Sequence, residues 1–499
     1  MTLELLYEDR KEFVMTLTAR ELRDLSAGQI AEHVKVRDLS ASEVVEAALE
    51  RMDVFEPHIH AFCAPGYDLA RASAAALDER ISKGEVPGPL AGVPIGIKDL
   101  VATKDLTTAM GSTLYRNFLP EEDDIVVERL KADDAIIIGK TNVPEFGYSG
   151  AGHNPVFETS RNPWKLDFTP GGSSSGSAAS VACGVTPFAI GSDGGGSVRI
   201  PAALCGLYGM KASMGRVPLY PGCRDERYPG ISSWESLEHI GPISRTTSDA
   251  ALMLATISGP DMRDRHSLPN ADFDWLGALE GDLKGLRVAY SEDWGYANVE
   301  PAVREICREA VKVFEEDLGC YVEETSPGWD NPLLTFWSLV AENSDLAGMR
   351  AWLPDHADEM SPHLVDFLMR PWSAEDFTNA NKARQALCNK MARFMQRFDF
   401  LLTPTLAISG FPVHMQGPEV IDGKMVSSAD WLPFTFPMNM TGQPAATVPV
   451  GFTKEDLPVG LQIVGRHLDD PLVLRASRCF ERARPWSDAW PDLVLNSKL

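Results

Sequence analysis

The sequence has no long apolar run and no excess of basic charge, and each absence excludes a class of protein. No segment approaches the roughly 18 consecutive apolar residues that a membrane-spanning helix needs, so no membrane partner is expected. The 71 Asp and Glu residues outnumber the 46 Lys and Arg residues, which gives a formal net charge of −25. A surface of that sign repels polyanions, and we therefore expect no nucleic-acid partner.

Paired cysteines and metal-binding histidine motifs are also absent. The eight cysteines occur without a CxxC or a tight cluster, which argues against a disulfide framework or a structural zinc site. The ten histidines include no HExxH motif. We expect neither a metal nor another cofactor.

The two ends of the chain bear on its location. Residues 1–13 are acidic and lack the basic-then-apolar order of a signal peptide, which favours a cytoplasmic protein. The last three residues, Ser497-Lys498-Leu499, match a peroxisomal address and keep that compartment as an alternative.

Short apolar segments that alternate with helical ones predict an α/β fold. Predicted strands include GVPIGIKD, AIIIGK, FAIGSD, LRVAYSED, FDFLLTPTL, AATVPV and PVGLQIVG. Residues 295–397 instead read as amphipathic helices rich in aromatic residues, and we interpret them as a helical cover over the core. We expect one domain over 1–499, made of scaffold helices (1–80), a core (81–290), the cover (295–397) and a second part of the core (398–485).

The densest chemical signal lies between Gly171 and Ser197, where GGSSSGSAAS and GSDGGGSVR each lead into a helix of small residues. Glycine lets several backbone N–H groups point into one concavity, where a helix N-terminus adds positive potential. Such a turn binds a phosphate or stabilises an oxyanion. No GxxxxGK[ST] loop and no GxGxxG after a strand is present, which disfavours the phosphate.

A serine nucleophile here would need a base other than histidine, since there is no GxSxG elbow and no evident histidine partner. A lysine can serve if burial lowers its pKa. Lys98 ends the apolar strand GVPIGIKD and is one candidate. A salt bridge to the adjacent Asp99 is the structural alternative.

These motifs together resemble the amidase-signature family, in which a GVPIGIKD-like strand accompanies a GGSSGGS-like loop and a D-x-GGS-x-R turn. The resemblance extends to GKTNVPEFG, GPISRT, TGQPAATVPVG and LPVGLQIVGR. It implies a large central mixed β-sheet flanked by helices and a Ser-cisSer-Lys triad. Ser175 and Ala212 depart from the usual family residues, and neither is a triad position.

The resemblance also implies a role for each site residue. Ser197 would be the nucleophile, Ser173 the proton relay and Lys98 the base. The N–H groups of the three glycines before Ser197, together with its own, would line an oxyanion hole; these glycines are Gly194, Gly195 and Gly196. Three more residues would support the site from behind: Ser174, Asp193 and Arg199.

The expected function is cleavage of the C–N bond of a small amide, anilide or carbamate through an acyl-enzyme, as in the aryl acylamidases and bacterial urethane-cleaving enzymes that the chain resembles. Pro- and Gly-rich residues 214–236 predict a lid or binding loop. Four aromatic residues suggest an aryl-accepting site: Tyr220, Trp234, Phe336 and Trp337. The alternatives are a catalytically silent binding protein and one subunit of a glutamine-dependent amidotransferase. The expected partner is a small-molecule substrate, and a homodimer stays open.

Overall fold

The computed structural model describes residues 17–221, 227–230, 234–269 and 274–499. The acidic segment 1–13 and Cys223 lie outside these residues, as does part of the loop predicted over 214–236.

Within the described residues, eleven strands form one sheet in the order β1-β3-β2-β4-β6-β5-β12-β13-β9-β7-β8, and two more form a separate hairpin. The strands are β1 (Phe62–Pro65), β2 (Pro94–Lys98), β3 (Ile136–Thr141), β4 (Phe188–Ser192), β5 (Tyr208–Lys211), β6 (Ile240–Ser244), β7 (Arg287–Tyr290), β8 (Tyr321–Glu324), β9 (Phe400–Pro404), β10 (Val420–Ile421), β11 (Lys424–Met425), β12 (Ala445–Phe452) and β13 (Pro458–Gly465). All seven strands predicted from apolar segments are present.

The sheet is mixed, as the family resemblance implies. β2 pairs in parallel with both β3 and β4, whereas β5, β6, β12 and β13 are joined by antiparallel pairs. β2, β4 and β9 are buried along their whole length, because helices cover the sheet on both faces. This explains why these strands read as continuous apolar runs.

The helices are α1 (Ala19–Leu22), α2 (Ala27–Lys35), α3 (Ala41–Ile59), α4 (Tyr67–Ser82), α5 (Ile125–Ala132), α6 (Ser175–Ala182), α7 (Arg199–Leu204), α8 (Thr247–Ile257), α9 (Pro301–Lys312), α10 (Leu333–Glu342), α11 (Leu346–Arg350), α12 (Leu353–His356), α13 (Pro362–Met369), α14 (Ala374–Met395), α15 (Phe436–Thr441), α16 (Asp470–Ala483) and α17 (Asp492–Leu495). Two begin with capping boxes that the sequence predicts, Thr18 with Glu21 and Ser40 with Glu43.

Two of the predicted subdivisions were wrong in part. β8 lies inside the predicted cover but adds to the edge of the main sheet beside β7, and α9 packs on that sheet. β8 has no apolar run because it is an edge strand and largely exposed, as Tyr321 is. β1 likewise falls within the predicted scaffold helices 1–80. The helical cover over the site starts at α10.

Candidate active site

The topology brings the predicted triad to one edge of the sheet. β2 ends at Lys98 and the parallel neighbour β4 ends at Ser192, so their carboxyl ends lie side by side. Ser173 lies just before α6, and Ser197 lies in the turn that connects β4 to α7. Polar side chains at the carboxyl ends of adjacent parallel strands are a common way to build a site in an α/β sheet.

Lys98 is fully buried and aimed at hydroxyl groups. Its Nζ donates to Ser173 Oγ at 2.7 Å, to Ser192 Oγ at 2.9 Å and to the Ser192 carbonyl at 3.0 Å. Burial lowers the pKa of Lys98, although the carboxylates of Glu238 and Asp193 oppose this shift. Within the described residues the Asp99 carboxylate makes no hydrogen bond to Lys98, so the salt-bridge alternative finds no support.

Ser173 and Ser197 face the same small cavity of about 50 Å³. Ser173 is 2% exposed and follows a cis peptide bond to Gly172, as the resemblance implies. Ser197 is 8% exposed, which leaves its hydroxyl within reach of a ligand. The N–H of Ser174 donates to the Ser197 carbonyl at 3.3 Å and ties the two turns together.

The turn before Ser197 offers free backbone donors, but one fewer than predicted. The Gly196 N–H donates to Asp193 Oδ1 at 2.7 Å, so it is occupied, and its assignment to an oxyanion hole is corrected. Within the described residues no hydrogen bond uses the N–H groups of Gly194, Gly195 or Ser197. These three remain able to receive an oxyanion.

A buried ion pair supports this turn from behind. Arg199 donates from Nε and Nη2 to the two carboxylate oxygens of Asp193, each at 2.9 Å, and both side chains are fully buried. Burial opposes ionisation of Asp193, but the guanidinium outweighs it and holds the pKa of Asp193 well below its usual range. Since Asp193 also accepts the Gly196 and Val198 N–H groups, the pair fixes the backbone on both sides of Ser197.

Two side chains that the sequence analysis did not select complete this support. Asn439 donates to the Asp193 carbonyl at 2.6 Å, and Gln462 accepts from Arg199 Nη1 at 2.6 Å. Gln462 lies in the LPVGLQIVGR motif, so the sequence did carry a signal for it. Ser174, predicted to support the site from behind, makes no cap bond to α6. Its hydroxyl donates to the Ser192 carbonyl and accepts from the Ser192 N–H, and Ser192 in turn contacts Lys98.

Glu238 is a third residue that the sequence analysis missed. Its side chain lines the 50 Å³ cavity together with Ser192. A Cβ at Gly194 would lie 2.6 Å from Glu238 Oε2, so glycine is needed where the two approach. Burial raises the pKa of Glu238, and Lys98 opposes the shift. Glu238 lies three residues before GPISRT, but nothing in that motif indicates a carboxylate facing Lys98.

A larger cavity of about 350 Å³ is also lined by Ser197. Its wall is largely aromatic: Tyr148, Trp234, Phe336, Trp337, Phe367, Trp372, Trp431 and Phe436. Three of the four aromatic residues predicted for the site therefore line this cavity: Trp234, Phe336 and Trp337. Tyr220 does not line the cavity; its ring lies 5.4 Å from the Arg263 guanidinium. The described part of the 214–236 loop contributes Trp234 to the cavity wall.

No group of three or more His, Cys, Asp or Glu residues in the described chain is arranged to hold a metal ion. Among the same residues, no helix combines the length and apolar character required to cross a bilayer.

Known proteins are similar to this chain in both sequence and fold. The family model described as Amidase matches residues 43–474. An acylamidase from Rhodococcus erythropolis is 38% identical over 95% of this chain and 98% of its own length. A glutamyl-tRNA(Gln) amidotransferase component from Geobacillus kaustophilus is 35% identical over 95% of this chain and 100% of its own length. A bacterial aryl acylamidase structure superposes with a TM-score of 0.87 at 32% identity, covering 95% of this chain and 99% of that one.

Proposed function

Because the chain belongs to the amidase family and is an amide-hydrolysing enzyme of the amidase-signature type, we propose that Ser197 is its nucleophile and that Ser173 and Lys98 move the proton. Ser197 attacks the carbonyl carbon while its proton passes to Ser173, whose own proton passes to Lys98. The free N–H groups before Ser197 receive the oxyanion. Collapse of the tetrahedral intermediate returns the proton to the leaving nitrogen, and water then hydrolyses the acyl-enzyme.

The contact that carries this proposal is the 2.7 Å hydrogen bond from Lys98 Nζ to Ser173 Oγ. Burial lowers the pKa of Lys98 to about 8 although Glu238 and Asp193 oppose the shift, so its neutral form is accessible near neutral pH. Neutral Lys98 can accept a proton, which the same residue in a salt bridge could not do.

For the substrate, we propose a small anilide, aryl amide or aryl carbamate. A cavity of 350 Å³ suits a small molecule, and its aromatic wall stacks well against a flat apolar group. The similarity to an aryl acylamidase and to an acylamidase supports this substrate class.

One observation keeps glutamine as a second candidate substrate. Asp366 and Arg370 are among the residues that line the large cavity, and their opposite charges match the α-amino and α-carboxylate groups of an amino acid. The relative named for glutamyl-tRNA(Gln) amidotransferase shares about a third of its residues with this chain. The Arg370 guanidinium, however, lies 4.2 Å from the centre of the Trp372 ring, and the interior beyond it is apolar.

The purified protein alone, without nucleotide or metal, should be assayed on a nitroanilide, an aryl carbamate, an aryl ester, a peptide amide and glutamine. We expect turnover of the three aryl substrates and little of glutamine. The variant Trp337→Ala should raise the KM for the nitroanilide about tenfold, because it removes part of the aromatic wall. Arg370→Ala should leave that KM near the wild-type value. Preference for glutamine, and its loss in Arg370→Ala, would overturn the aryl assignment.

We also propose that the protein acts in the cytoplasm on a free small molecule. The seven described cysteines are free thiols, five of them buried, which is typical of a reducing compartment. Fractionation of the native host with an antibody against this chain tests the compartment: recovery with peroxisomes would favour the Ser497-Lys498-Leu499 address.

A further inference from the structure

We infer that Glu238 is a positioning residue for catalysis, which acts across the small cavity that it shares with Ser192 to stabilise the ammonium form of Lys98. The inference rests on the proposed function, because it assigns a partner to the lysine base. Glu238 would not contact substrate atoms in this role. Its effect would reach the reaction through the protonation of Lys98.

Lys98 and Glu238 both lie close to Ser192. The Ser192 hydroxyl oxygen accepts from Lys98 Nζ at 2.9 Å, and Ser192 and Glu238 line the same 50 Å³ cavity. A second bond from Lys98 to the Ser192 carbonyl fixes the same residue from its backbone. No ion pair joins Lys98 to Glu238 among the described residues, so their charges attract each other across the cavity.

The charges around Lys98 single out Glu238. Two carboxylates stabilise its ammonium form, those of Glu238 and Asp193. Asp193 is already neutralised by its two hydrogen bonds to Arg199, and it also accepts hydrogen bonds from backbone N–H groups.

Other charged groups nearby have partners of their own. His239 follows Glu238 but turns toward Lys211, and burial keeps the pKa of this histidine well below its usual value. Asp99 follows Lys98, and its strongest charged neighbour is Lys140. Among these described groups, Glu238 is thus the carboxylate whose compensating cation is Lys98.

The proton balance explains what such a residue would do. When Ser197 attacks, its O–H bond breaks, Ser173 takes that proton and gives its own to Lys98, and Lys98 gains one positive charge. An ionised Glu238 stabilises that charge while it exists and takes up no proton itself. When the leaving nitrogen departs it receives the proton back, and Lys98 is neutral again. Glu238 would therefore make Lys98 a stronger base, at the expense of raising the pH at which Lys98 loses its proton.

The test is the pH dependence of covalent labelling of Ser197 by a fluorophosphonate, which needs no knowledge of the natural substrate. In this reaction the serine oxygen bonds to phosphorus, fluoride leaves, and the serine proton takes the same route to Lys98. In Glu238→Gln the acid limb of the rate profile should move to lower pH by about one to three units, because a nearby negative charge is lost. The rate above the limb should fall about tenfold, because the base is weaker.

Three further variants distinguish a positioning role of Glu238 from a role in stabilising the fold alone. Glu238→Asp keeps the charge, and its limb should stay closer to the wild-type position. Ser192→Ala removes the hydroxyl beside Glu238 that accepts from Lys98 and should shift the limb in the same direction as Glu238→Gln, which keeps the inference testable if Glu238→Gln does not fold. Asp249→Asn is the matched control, since Asp249 is a buried carboxylate with a raised pKa that bonds the Ala27 N–H in another part of the fold. Its profile should match the wild type.

The KM for an anilide should stay near its wild-type value in Glu238→Gln while kcat falls. A limb that does not move in Glu238→Gln or Ser192→Ala overturns the inference, whether or not the rate falls. A wild-type protein that does not label at Ser197 refutes the proposed nucleophile instead, and removes the basis of the inference with it. The two failures are therefore distinguishable in one experiment.

Discussion

The Arg199–Asp193 pair offers a strong test of how the turn before Ser197 is held. In Arg199→Met the Asp193 carboxylate stays fully buried but loses two charge-assisted hydrogen bonds. Removing one partner of a buried ion pair typically costs about 3–5 kcal/mol, because the remaining charge is uncompensated. We expect the free energy of unfolding to fall by that amount in urea denaturation.

An exposed pair with the same forked geometry is available as a control. Arg71 donates to the two oxygens of Glu46 at 2.7 and 3.0 Å, but both side chains are about half exposed, at 49% and 55%. Arg71→Met should therefore cost less than about 1 kcal/mol. If both variants lose the same free energy of unfolding, burial does not explain the contribution of the Arg199–Asp193 pair to stability, and the reasoning is refuted.

The same pair has a defined pH signature. The folded pKa of Asp193 lies well below the value of about 3.9 expected in the unfolded chain. Its stabilisation is therefore present in full above about pH 4 and is lost as the pH falls toward the folded pKa. The difference in stability between wild type and Arg199→Met should accordingly shrink in acid.

The remaining predictions concern the reaction. Ser197→Ala should lower kcat on a nitroanilide by several orders of magnitude, and Ser173→Ala should slow it heavily while leaving residual acylation; near-normal activity in Ser197→Ala would show the assignment to be wrong. In wild-type protein kcat/KM should fall as the pH drops below neutral, because protonated Lys98 cannot accept a proton; a profile that stays flat into acid would count against the base. Gly195→Ala should impair turnover with the fold retained by circular dichroism, because the added Cβ would lie 2.6 Å from the Phe336 ring at the nucleophile; unchanged kinetics would mean that the ring can move aside.

The sequence predicted the parts of the fold whose physics is local. Buried strands such as β2 read as apolar runs, and the Ser40 capping box marks the start of α3. β8 was not predicted, because its polar, exposed residues resemble those of a surface helix or loop.

In the candidate site too, the sequence predicted the residues of local motifs and missed those that only the fold brings in. The motifs that resemble the amidase-signature family lead to the proposed roles of Lys98 and Ser197, because each motif is a short continuous stretch of sequence. Glu238 shares the small cavity with Ser192, which is 46 residues away in the chain, and Asn439 bonds Asp193, which is 246 residues away. Only the fold brings these residues together. Gly196 is the converse case. Its position in the motif predicts an oxyanion-hole donor, but its N–H donates to Asp193 instead.

The central claim, an acyl-enzyme on Ser197, is tested most directly by trapping it. Wild-type protein should be mixed with an aryl carbamate, quenched in acid, digested with trypsin and analysed by tandem mass spectrometry. The tryptic peptide 166–199 contains both Ser173 and Ser197, so its fragment ions decide between them. We predict the carbamoyl mass on Ser197 in the wild type and its absence in Ser197→Ala. The same mass on Ser173, or no covalent adduct during active turnover, would contradict the account.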